Sequence, residues 1–235
     1  MADGKSKYAI RSVLSAIGYL PSAVYDMRTR VALLSPGCVP YGDALALQHR
    51  LVEVRKRGEG EDMLVLLEHP PVFTLGLAGK PEHVLAPGDI PVVKIDRGGQ
   101  VTYHGPGQLV IYLLLDTKRL GYGVKELVKR IEQSLIDLLA EYGIDSFRLS
   151  GMPGVYVKQN DADAKIAAIG LRVANHATYH GLSLNIDMDL EPFSRINPCG
   201  YEGLAVTQVR NFGVTDRMTA ISEKLVSHLQ SNLYS

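Results

Sequence analysis

GVYVKQNDADAKIAAIGLRVANHATYHGLSLNI, residues 154–186, decides the fold. It holds three strand-like runs in succession, at 154–158, 165–173 and 178–186, with no helical periodicity between them. KQNDADA (158–164) reads as a somewhat long hairpin loop. Strands that follow one another without a helix argue against a doubly wound dinucleotide fold. They predict an α+β layer: a mostly antiparallel or mixed sheet with helices packed on it.

The flanks agree. Residues 42–57 predict a helix from Ala44, Leu47, Leu51 and Val54 at steps of three and four, stopped by Gly58 and Gly60. Short strands follow at 63–67 and 72–75 around the Pro70–Pro71 turn, then at 91–95 and 108–115. The strongest helix is 124–142. Val124, Leu127, Val128, Ile131, Leu135, Leu138 and Leu139 share one face, and Gly143 is placed to end it. A closing helix at about 216–231 has Thr215 or Asp216 as its expected N-cap.

Composition narrows the function classes. The chain has 235 residues, 46% apolar and 21% charged, with 25 acidic residues against 25 basic ones. That balance gives no sign of nucleic-acid or membrane binding. Two cysteines, Cys38 and Cys199, make neither a disulfide framework nor a zinc signature, so a cytoplasmic location is expected. Lys5, Lys7 and Arg11 precede a mildly apolar run, but Pro21 breaks it, no A-x-A site follows, and nothing reaches the length of a membrane span. Residues 1–30 read as a weakly structured extension, and 31–235 as a single domain.

Residues 97–108, RGGQVTYHGPGQ, crowd four glycines and a proline between two strands. Glycine permits close approach of backbone to a ligand, and the polar neighbours can bind one; an elaborate turn is the other reading. No GK[ST] follows, so a P-loop is not expected. His176 and His180 are four apart but in strand-like sequence, and no metal site is expected.

RINPCGY (195–201) sets Cys199 between a proline and a glycine. A lone cysteine is either a small buried hydrophobe or a nucleophile. As a nucleophile it needs a proton acceptor, and Gly200 offers a backbone N–H beside it as an oxyanion donor. Lys165 opens the apolar run KIAAIGL. It is either a solvated end charge or, inside a pocket, an amine whose pKa is lowered by desolvation and which trades protons with a thiol. Spacing alone does not bring the two together.

Six ordered motifs carry a resemblance: EHPPVFTLG (68–76), RGGQVTYHGPGQLVIY (97–112), PGVYV (153–157), KIAAIGLRV (165–173), YHGLSLNIDMDL (179–190) and FSRINPCGY (193–201). Together they resemble the octanoyltransferase family, from about Tyr41 to Gln208. The resemblance implies the fold of biotin and lipoate protein ligases, a central mixed sheet with flanking helices and a small second sheet. It implies octanoyl transfer from acyl carrier protein to lipoyl domains of 2-oxoacid dehydrogenases and to the glycine-cleavage H protein. Cys199 then carries the acyl thioester, and Lys165 is its acid and base. Substrate binding maps onto Arg97, Gly98, Gly99, Gln100, Val101, Thr102, Tyr103 and His104, onto Ala168, Ile169 and Gly170, and onto Gly181, Leu182 and Ser183. No cofactor or metal is implied. An ATP-dependent lipoate or biotin ligase on the same fold, and a cysteine hydrolase, are the rivals.

Overall fold

A computed structural model describes residues 31–57 and 61–235. The expected N-terminal extension and the helix-stopping Gly58 and Gly60 lie outside the described residues.

The chain runs β1 (Val31–Cys38), α1 (Tyr41–Lys56), β2 (Asp62–Glu68), β3 (Val72–Leu75), β4 (Val92–Lys94), β5 (Val101–His104), β6 (Gln108–Leu114), α2 (Thr117–Leu120) and α3 (Val124–Glu141). It continues through β7 (Ser146–Leu149), β8 (Met152–Gln159), β9 (Ala162–Ala174), β10 (Ala177–Asn185), β11 (Ala205–Val206) and α4 (Met218–Leu233). The main sheet has eight strands in the order β1-β2-β6-β10-β9-β8-β7, with β11 beside β9. β1–β2 and β11–β9 are parallel and the other pairs antiparallel, which makes the sheet mixed. A second, three-stranded sheet has the order β4-β3-β5.

The strands at 154–186 form the heart of the main sheet, joined by two tight hairpins. Asn160 and Asp161 have φ of 50° and 62°, and Asn175 and His176 have 49° and 67°. Positive φ at both central residues matches the right-handed twist of the flanking strands. The segment expected as a long loop is therefore a two-residue turn between strands that run on to Gln159 and begin again at Ala162.

Alternation along β6 divides the core between the two faces of the main sheet. Leu109, Ile111 and Leu113 join Leu182 and Leu184 under the Leu127, Ile131 and Leu135 stripe of α3 and the Ile221, Leu225 and Leu229 stripe of α4. Val110, Tyr112 and Leu114 face the other way, against Ala44, Leu47 and Leu51 of α1. The second sheet has its own cluster, Phe73, Leu75, Val101 and Tyr103 with Phe193 and Ile196. α4 starts after Arg217, and neither Thr215 nor Asp216 caps it; Asp216 accepts instead from Tyr142 Oη at 2.8 Å.

Candidate active site

A β-bulge sets the position of Lys165. Val155 pairs with Ala167, and the next residue, Tyr156, pairs with Lys165, so Ile166 is an extra residue on β9. Ala164, Ile166 and Ala167 all enter the core under α3 and α4. The bulge thus breaks the alternation and turns Lys165 to the same side as Ala168 and Gly170, where all three line a cavity of about 300 Å³. Lys165 is 5% exposed. Its Nζ donates to Pro153 O at 3.2 Å, reaches Cys199 Sγ at 2.9 Å, and lies 5.1 Å from the centre of the Tyr156 ring. Gly154, at φ 130°, makes room for it: a Cβ there would stand 3.2 Å from Lys165 Cε and 2.5 Å from Ala167 O. Glu132 of α3 holds this corner by accepting from Gly154 N at 3.0 Å.

Cys199 sits in the single turn Pro198–Gly200 with φ 57° and ψ 15°. A side chain in the left-handed region costs on the order of 1–3 kcal/mol and persists where the surroundings enforce it. Here Asn197 N donates to His83 O at 2.8 Å, and Gly200 N donates to Asn197 O at 2.9 Å. That second bond corrects the expectation for Gly200, because its N–H is already committed within the turn. Thr207 N donates to Lys165 O at 2.9 Å, which ties β11 and the segment following the cysteine turn to β9.

Electrostatics couple the pair. Burial pushes the Lys165 ammonium down, but the Cys199 thiolate and Tyr156 outweigh it, and the pKa is raised overall. The expected lowering is therefore corrected: in the free enzyme the Lys165 pKa moves up, because the sulfur and the Tyr156 oxygen beside it favour the ammonium. With no negative charge on the sulfur, desolvation, the largest influence, would favour the neutral amine.

Twelve further expected residues line the same cavity as Cys199 and Lys165 beside Ala168: Arg97, Gly98, Gly99, Gln100, Val101, Thr102, His104, Ile169, Gly170, Gly181, Leu182 and Ser183. Tyr103 does not. The supposed loop contains strand β5, and strand alternation turns Tyr103 into the second sheet's core, 5.5 Å from the ring centres of both Phe73 and Phe193. Gly170 lets the Arg97 turn lie on β9, since a Cβ would stand 3.1 Å from Arg97 Cδ and from Gly98 O.

The cavity has an open and a closed end. Exposed Val124, Gly151 and Tyr201 form its mouth, near Pro153 and the Lys165–Cys199 pair. Buried Tyr41, Arg97, His104, Tyr112 and His180 form its blind end. Arg97 Nη2 donates to Thr74 O at 2.8 Å and Thr74 Oγ1 at 3.0 Å, and Nη1 donates to Gly98 O at 3.0 Å. His104 Nδ1 meets Gln108 Oε1 at 2.6 Å, and burial pushes its pKa down to about 3. The sequence does not lead to Tyr41 or Tyr112 at the site, and it raises His180 only as a metal ligand or as the base of a hydrolase. Tyr112 and His180 both stand in the quoted motifs, but nothing in an apolar strand pattern marks Tyr112 as a cavity residue. Among the described residues no group of three or more His, Cys, Asp or Glu side chains is placed to hold a metal ion. No described helix is long and apolar enough to cross a membrane.

The fold and cavity define a class. Residues 40–231 match the family model of the lipoyl protein ligase A/B catalytic domain. A bipartite lipoate protein ligase of Thermoplasma acidophilum has the same fold, with a TM-score of 0.67 at 16% identity over 88% of this chain and 84% of that one. A lipoate-protein ligase A solved with ATP gives 0.62, also at 16% identity, over 88% and 85%. Sequence narrows the class. The octanoyltransferase of Laribacter hongkongensis is 54% identical over 84% of this chain and 93% of its own length, and that of Chromobacterium violaceum 61% identical over 74% and 83%. The chain belongs to the octanoyltransferase family.

Proposed function

We propose that this acyltransferase moves an octanoyl group from octanoyl-acyl carrier protein to a lysine of lipoyl domains, those of 2-oxoacid dehydrogenases and the glycine-cleavage H protein, through a thioester on Cys199. The observation that carries the mechanism is the 2.9 Å approach of Lys165 Nζ to Cys199 Sγ at the mouth of a cavity with a buried end. The thiolate attacks the carrier thioester, its carbonyl carbon bonds to Sγ, and the bond to the carrier sulfur breaks. The Lys165 ammonium gives its proton to the departing thiolate and is left neutral. The acceptor lysine amine then attacks the Cys199 thioester. Neutral Lys165 takes the proton from the new amide nitrogen, and Cys199 leaves as thiolate, restoring the ion pair. Each CH₂ of the chain buried in the cavity contributes about 0.8 kcal/mol, so the tail is held without charge.

The thioester bond supplies the driving force, and no ATP is consumed. Purified enzyme, octanoyl-acyl carrier protein and a lipoyl domain, mixed without nucleotide, should yield octanoylated lysine. An absolute requirement for ATP would favour the ligase reading that the shared fold leaves open. Release of free octanoate in place of octanoylated domain would favour a hydrolase.

A further inference from the structure

The blind end of the cavity is more polar than a plain alkyl chain needs. Two buried nitrogens there, Arg97 Nε and His180 Nδ1, have no hydrogen-bond partner among the described residues. Both residues line the cavity, Arg97 8% and His180 1% exposed. Arg97 packs over Gly170, which pairs with Gly181, the neighbour of His180, and the two side chains interact electrostatically.

The two atoms have opposite roles. Arg97 Nε carries a hydrogen at any ordinary pH and can only donate. His180 Nε2 lies 3.0 Å from Asp96 Oδ1, a carboxylate that accepts, so Nε2 bears the hydrogen and Nδ1 presents a lone pair. Asp96 also accepts from Tyr179 Oη, which fixes its orientation. The His180 ring is turned to this position by a φ of 59° in mid-strand, and its N–H leaves the β6 ladder for Gln48 Oε1 at 2.6 Å. A fixed donor and a fixed acceptor lining one cavity fit a hydroxyl group, which can use both.

The distance also fits. Ser183 lines the smaller hollow around Cys199, and His180 lies three residues before it on β10, a backbone span of about 10 Å at about 3.3 Å per residue. That is the reach of an extended eight-carbon chain. We infer that the Arg97–His180 end is a subsite for a hydroxyl at the far end of the acyl chain, so that the enzyme accepts ω-hydroxyacyl thioesters as well as plain ones. This rests on the acyltransferase reading.

The experiment compares octanoyl-pantetheine with 8-hydroxyoctanoyl-pantetheine, following the adduct on the protein by mass. The hydroxylated chain should acylate within about tenfold of the plain one, because its hydroxyl keeps two partners. A larger handicap, with octanoyl acylation proceeding, overturns the subsite alone. No adduct from either thioester overturns the acyltransferase reading and the subsite with it. His180→Gly, which adopts the left-handed region without strain, removes the acceptor. Asp96→Asn, at a half-buried residue, removes the anion that sets the histidine tautomer. Each should widen the discrimination against the hydroxylated chain by about tenfold, measured as a ratio within each variant. An unchanged ratio in both variants overturns the inference.

Discussion

Gly154→Ala tests how the backbone places Lys165. The added Cβ would stand 2.5 Å from Ala167 O, where ordinary contacts begin at 3.4 Å, so β8 and β9 must part by about 0.9 Å. They must do so next to the bulge that aims Lys165. The residue also keeps a φ of 130°, which L side chains rarely adopt. Together these cost about 1–3 kcal/mol, a fall of roughly 3–10 °C in Tm for a chain of this size. The same displacement moves Nζ away from a sulfur now 2.9 Å distant. A misplacement of about 1 Å lowers rate by about 10²-fold. The assay is the rate of acyl-adduct formation from octanoyl thioester, with thermal denaturation measured alongside. Gly121→Ala is the control, since φ is 77° but a Cβ would meet nothing within 4 Å. It should lower Tm slightly and leave the adduct rate alone. Wild-type acylation by a folded Gly154→Ala enzyme would refute the idea that this glycine sets the lysine–cysteine geometry.

Lys165→Ala should stay folded and acylate about 10²–10⁴-fold more slowly in stopped-flow or mass measurements; turnover near wild type would remove Lys165 from the mechanism. Cys38 is exposed and outside the motifs and the cavity lining, so Cys38→Ser should transfer octanoyl at the wild-type rate in the coupled assay. Tyr103→Phe should leave kcat/KM unchanged, since that ring packs in the second sheet and not against the acyl chain. Stability should fall with acid: burial pushes His69 down to about 4 and His104 down to about 3, while unfolded histidine titrates near 6.5. The unfolded state therefore binds the extra protons, and the contribution is complete above pH 6.5. It is lost as pH falls toward 4, by about 1.4 kcal/mol per unit for each histidine. Equal urea stabilities at pH 7.5 and 5.5 would contradict this.

Much of the architecture is legible because its elements are long and periodic. The 124–142 stripe becomes α3 at Val124–Glu141, and the 42–57 pattern becomes α1 at Tyr41–Lys56. The strands hardest to read are short or polar. β5 hides among glycines because only its four residues, VTYH, stand between GGQ (98–100) and GPG (105–107). β7 is half-buried throughout and shows no clean alternation. The 158–164 segment looks like a loop because the ends of β8 and β9 are exposed and polar, whereas the turn itself needs only Asn160 and Asp161. No pattern in KIAAIGL reveals the bulge, since apolar residues occupy both faces of a buried strand.

The site divides in the same way. The ordered motifs point to Cys199 and Lys165, but 34 positions of separation say nothing about a 2.9 Å contact made by a bulge and a strained turn. Tyr41 escapes notice because its role depends on packing at the closed end from the start of α1; His180 is legible as a histidine near His176, but its place at that end depends on an unusual φ. Tyr103 misleads because motif membership carries no strand parity.

The most direct measurement is intact-protein mass after brief incubation with octanoyl-acyl carrier protein and no acceptor domain. The account predicts one octanoyl group on Cys199, removed by hydroxylamine, absent in Cys199→Ala and passed to lysine when a lipoyl domain is added. Octanoylated lipoyl domain formed at the wild-type rate by Cys199→Ala would contradict it.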